Sequence, residues 1–181
     1  MQKENKITYG WLLPTVIAML PIYIFLHESG HAIVAIMYGA ENVRISIFTA
    51  RMTAGFVEYT PFTHSLMNAA GMLFPVIIFS IIALAYNSKK TNILYRCFYY
   101  SIVPITIGPV FAWVLVPIIG MLSGLPPGDD VTKFINNSGW HPGVVMVLAL
   151  VLIALLVLLF WVKGILQLFV TTNKQLKNYS E

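Results

Sequence analysis

Ile22-Tyr23-Ile24-Phe25-Leu26-His27-Glu28-Ser29-Gly30-His31-Ala32-Ile33-Val34-Ala35-Ile36 sets three ionisable side chains inside an apolar run that extends from Trp11 to Tyr38. The run is long enough to cross a bilayer, which takes about 20 mostly apolar residues. Two imidazoles and a carboxyl at that depth carry a desolvation cost unless they are paired or bind a metal. The stretch therefore reads as a membrane helix built around a polar site. Ahead of it, Lys3, Glu4 and Lys6 followed by an apolar core have the outline of a signal peptide. No convincing small-x-small cleavage site precedes the histidines, so the segment is read as a permanent helix.

Composition places the rest of the chain in the same solvent. Of 181 residues, 58% are hydrophobic and 10% charged, against roughly 45–50% and about 25% in soluble domains. The mean hydropathy of +0.79 agrees. So little polar surface cannot cover a water-soluble globule, and the length suits a single integral-membrane domain over residues 1–181. The formal charge of +4 does not point to a nucleic-acid partner, because the basic residues fall at the ends of apolar runs and form no patch. The lone Cys97 excludes an internal disulfide framework and a cysteine-rich zinc site, which leaves histidines and carboxylates as metal ligands.

Four segments are long and apolar enough to span: Trp11 to Tyr38, Ser65 to Tyr86, Cys97 to Leu122 and Gly143 to Val170. The expected fold class is an all-α membrane protein of about four transmembrane helices. The third span holds Pro104, Pro109 and Pro117 and is expected to be kinked or broken. Between the first two spans, Val43, Ile45 and Ile47 alternate at period two and Gly55-Phe56-Val57-Glu58-Tyr59 follows, which predicts one or two short strands. Asn87 to Arg96 is a short basic loop. Ser123 to Pro142 opens on the turn-forming Gly124-Leu125-Pro126-Pro127-Gly128 and continues into Asp129-Asp130. Lys3, Lys6, Lys89, Lys90, Arg96, Lys174 and Lys177 share one side of such a bundle, against Arg44, Arg51 and Lys133 on the other. This bias predicts cytoplasmic termini, as expected of a multi-pass protein of the cell membrane. It also brings the histidine end of the first helix to the side that carries Asp129 and Asp130.

His27 and His31 are four residues apart, so on a helix they share a face and can direct two ring nitrogens at one ion. Zinc held by two histidines and a third protein group keeps a position for water, whose pKa falls to about 7. Glu28, beside the first ligand, is placed to act as general base and then to protonate a leaving amine. The third ligand must come from elsewhere. Asp129 and Asp130 are the leading candidates, and an aspartate there can equally cap a helix over Val131 to Ile135. His64 and His141 flank spans and read as interfacial side chains.

The run Phe25 to Ala32, with its His-Glu-Ser-Gly-His core, and the later Leu125-Pro126-Pro127-Gly128-Asp129-Asp130 resemble the site-2 protease family of intramembrane zinc metalloproteases. Asn68-Ala69-Ala70-Gly71-Met72-Leu73-Phe74-Pro75 is similar to that family's small-residue segment, with Met72 where a proline is common. The family's usual Leu-Asp-Gly-Gly context for the aspartate is absent. The resemblance implies zinc ligands His27 and His31, catalytic Glu28, and Asp130 or Asp129 as the third ligand, with Asp130 preferred on the spacing to Lys133 and Gly139-Trp140-His141-Pro142. It also implies a sheet that pairs with an unwinding substrate.

The reading is thus a membrane-embedded zinc endopeptidase acting on a peptide or transmembrane protein substrate within lipid. Alternatives are a non-catalytic metal-binding scaffold or transporter subunit, and a hydrolase of lipid-like substrates.

Overall fold

The computed structural model describes residues 9–90 and 92–168. Its elements run α1 (Tyr9–Met37), β1 (Arg44–Ser46), β2 (Arg51–Thr53), α2 (Pro61–Leu84), α3 (Ile93–Ser123), α4 (Asp130–Ser138) and α5 (Pro142–Val162). Four of the helices, α1, α2, α3 and α5, are long and apolar enough to cross a membrane. With the small sheet between the first two, the fold class is the expected one.

Local chemistry sets most of the boundaries. Thr60 caps α2, its hydroxyl accepting from the Thr63 N–H at 3.2 Å with Pro61 in the first turn. Asn92 caps α3 through Tyr95 N–H at 3.1 Å. These caps satisfy helix-end donors that lipid cannot. His141 caps α5, its Nδ1 accepting from the Gly143 N–H at 3.1 Å. His64 lies in α2, its ring edge-on to Tyr59. Neither of these two histidines joins the ones on α1.

Three expectations are corrected. The third span, expected to be kinked or broken, is unbroken, one helix of 31 residues with its three prolines inside it, because neighbouring helices can accommodate the backbone groups that proline frees. The second strand is Arg51–Thr53, before the predicted Gly55 to Tyr59. The chain reverses at once after β1, with Ala50 in the left-handed region at φ 45°. The last span stops at Val162, where Lys163 closes the helix and Gly164 takes φ +77°. A further helical turn covers 165–168; the expected end of that span at Val170 lies outside the described residues, as do Lys3, Lys6, Lys174 and Lys177.

The two strands pair antiparallel, with Arg44 opposite Thr53, Ile45 opposite Met52 and Ser46 opposite Arg51. Gly55 extends the contact by donating its N–H to the Glu41 carbonyl at 2.7 Å. A side chain at Gly55 would crowd that carbonyl.

α2 packs against α1, α3 and α4, and α3 against α5. Met72, Val76, Phe79, Ile102, Val110, Trp113, Val145 and Phe160 fill the interior. Outward, α2 shows Ile77, Ile81 and Leu84, and α5 shows Leu148, Val151, Leu155 and Leu158. Such apolar exteriors belong in hydrocarbon, and the protein is an integral membrane protein. Since α1, α2 and α3 alternate in direction, the C-terminal end of α1, the hairpin and α4 gather at one end of the bundle.

Candidate metal centre

Helical spacing puts His27 and His31 one turn apart on α1, their rings edge-on at 4.8 Å between centroids. Their Nε2 atoms lie 3.1 Å from each other, and Asp130 Oδ2 lies 3.1 Å from both. Three potential ligand atoms thus form a nearly equilateral triangle, drawn from two helices whose residues stand 103 positions apart. Around a tetrahedral zinc with ligands at about 2.0–2.1 Å, such atoms are about 3.3–3.4 Å apart. The triangle needs only a slight expansion to seat the ion.

The far sides of the rings decide what the near sides can do. The His31 Nδ1–H donates to the Met67 carbonyl at 2.8 Å, which leaves the Nε2 lone pair of a neutral ring directed at the centre. His27 Nδ1 lies 3.3 Å from the Tyr23 hydroxyl, one turn back on the same helix. Two ring nitrogens and a carboxylate oxygen that converge on one point are a donor set that a cation satisfies. Burial by itself would raise the Asp130 carboxyl. Where the facing ring nitrogens carry protons instead, their hydrogen bonds and charge outweigh that and hold it well below the usual carboxylate range. Its second oxygen, Oδ1, faces Lys133 Nζ at 3.5 Å.

Asp129 has a different task. The Thr132 N–H donates to its Oδ1 at 2.9 Å and the Thr132 hydroxyl to its Oδ2 at 2.9 Å, making it the N-cap of α4. The cap is made through Oδ1, the Thr132 hydroxyl being shared between Oδ2 and the Pro126 carbonyl at 2.7 Å, and it fixes the turn that presents Asp130 in the next position. Of the four candidate ligands, the structure groups His27, His31 and Asp130 and leaves Asp129 in the capping turn.

Two glycines make room for the centre. A Cβ at Gly71 would collide with the His31 imidazole and press on His27, and a Cβ at Gly30 would collide with the Ala70 carbonyl. α2 can therefore lie against the ligand face of α1 only because both positions lack a side chain. Gly71 lay within the small-residue stretch Asn68 to Pro75, whose spatial partner the sequence does not reveal. Tyr23 and the Met67 carbonyl had no sequence signal as orienting groups.

Glu28 is 6% exposed, and among the described residues its carboxylate has no hydrogen bond or ion pair. It shares with His27, His31 and Asp130 the wall of a cavity of about 510 Å³, to which Arg51 and Met52 of β2, Asn68 of α2 and Lys133 of α4 also contribute. The described geometry can hold a divalent ion with the Glu28 carboxylate on the wall of the same cavity.

Residues 7–126 match the family model described as peptidase M50B-like, about two thirds of the chain. The chain belongs to this family, a branch of the site-2 proteases, and so to a class of membrane peptidases. The match takes in His27, Glu28, His31 and Gly71 and ends before Asp129 and Asp130. None of the curated proteins or solved structures compared with the chain matches it.

Proposed function

We propose that the protein is an intramembrane zinc endopeptidase that hydrolyses a peptide bond in or next to the bilayer. The observation that carries this reading is the convergence of His27 Nε2, His31 Nε2 and Asp130 Oδ2 with the unpartnered Glu28 on one cavity. Family membership supports it independently.

In this reading His27, His31 and Asp130 hold the ion. Zinc, when bound there, supplies Lewis-acid polarisation of water and of the peptide carbonyl, bringing the water's pKa to about 7. Glu28 takes the proton as the water attacks and hands it to the departing amine. Tyr23 and the Met67 carbonyl keep the two imidazoles in the ligating tautomer. A transmembrane helix shields its own peptide bonds, so the substrate must unwind locally. The unpaired edge of β2 gives the freed strand backbone partners. The hydrolytic unit spans the whole chain, sits in the cell membrane with both termini in the cytoplasm, and takes membrane-spanning proteins as substrates.

The test is Glu28→Gln in purified, zinc-loaded protein, assayed on a panel of membrane-spanning peptides with metal measured by mass spectrometry. The expected outcome is unchanged zinc content and a cleavage rate lower by about 10²–10⁴-fold, the usual weight of general acid–base catalysis. Cleavage at the wild-type rate would sink the mechanism. Cleavage lost together with zinc would make Glu28 a structural residue.

A further inference from the structure

Asn68 is 4% exposed and lies on α2 one helical turn before Gly71, on the face that meets the histidines. Its neighbour Met67 supplies the carbonyl that orients His31. Yet among the described residues nothing hydrogen-bonds to the Asn68 carboxamide. Polar groups on so enclosed a residue are ordinarily hydrogen-bonded, and this carboxamide is not sealed within protein but reaches accessible space. That space is the cavity that Glu28, His31, Asp130 and the β2 residues Arg51 and Met52 also line. On packing grounds alone an apolar side chain would serve better at a position so enclosed.

We infer that Asn68 is a substrate-binding residue whose carboxamide hydrogen-bonds the backbone of the extended peptide, its Nδ2–H donating to a substrate carbonyl and its Oδ1 accepting a substrate N–H. A peptide laid along β2 across the ligand triangle has the hairpin on one flank and α2 on the other. The edge of β2 offers backbone groups to one side of the strand. Asn68 offers the corresponding pair from α2. The missing partner of Asn68 is then the peptide itself, a ligand whose donors and acceptors match a carboxamide in any sequence. This inference rests on the reading of His27, His31 and Asp130 as a zinc site open to peptides.

The experiment compares two probes on zinc-loaded protein in detergent by titration calorimetry. Acetohydroxamate reaches the metal alone, whereas acetyl-Leu-Leu-hydroxamate carries peptide backbone beyond it. Asn68→Leu, nearly isosteric, and Asn68→Ala are expected to bind the peptidyl hydroxamate about tenfold more weakly, the effect of one buried hydrogen bond. Acetohydroxamate affinity and zinc content should stay at wild-type values, and Asn68→Ser, which keeps a donor, should recover part of the loss. Should Asn68→Leu fail to fold, Asn68→Ala decides. Wild-type affinity of both variants for the peptidyl probe overturns the inference. So does equal weakening of both probes or loss of zinc, which would assign Asn68 to the framework. If acetohydroxamate does not bind the wild type, the zinc-site reading itself falls, an outcome separate from the others.

Discussion

Asp129 and Asp130 are adjacent in sequence and chemically alike, yet one is folded into a helix cap and the other into the ligand triangle. Substituting each with alanine should separate these tasks. Asp130→Ala removes one of three ligands and should abolish stoichiometric zinc binding, read as metal content after purification. Asp129→Ala should retain zinc and lower stability by about 1 kcal/mol, the usual value of an N-cap, read as thermal unfolding in detergent. The two histidines and Glu28 were legible because a buried, ionisable triad at helical spacing has few bland explanations. The choice between the aspartates had no such basis, since it depends on which carboxylate Thr132 engages. Met67 and Gly71 escaped notice as site residues because their roles are contacts with α1, and adjacency between helices leaves no period or spacing in a single chain.

Between elements, the decisive contact is α1 against α2, where Gly30 meets the Ala70 backbone and Gly71 meets the His31 ring. Gly30→Ala should push the helices apart and destabilise the protein by about 1–3 kcal/mol, as overpacking does, with a lower Tm as the readout. Gly71→Ala should instead displace the imidazoles, with loss of zinc, read as metal content, as its first effect. The spans themselves were plain from length and apolarity, since no soluble core needs four such runs. Strand positions were less so. Period-two alternation located β1 but misplaced β2, because three-residue strands closed by a turn at positive φ leave too short a pattern. Helix α4 was foreseen as a capped helix over Val131 to Ile135; it runs on to Ser138, where Gly139 at φ +69° ends it.

For the molecule as a whole, α2 separates the hairpin from the basic loop at 87–92, so Phe48 and Lys89 belong on opposite faces of the membrane. Cys97 is fully buried, which leaves a clean background for thiol labelling. Phe48→Cys should react with a membrane-impermeant maleimide applied outside intact cells, and Lys89→Cys only after the membrane is opened; the reverse pattern would invert the proposed topology. The ligand triangle has one more consequence at this scale. Because His27 and Asp130 are 103 residues apart, an ion held between them would act as a reversible cross-link closing a loop of more than half the chain. Long loops are entropically costly to close, and a ligand bound only by the folded state at a thousand times its Kd adds about 4 kcal/mol. Chelation should therefore lower Tm markedly in the wild type and leave Asp130→Ala unmoved. Zinc supply would then govern how long each copy survives in its membrane as well as whether it cuts.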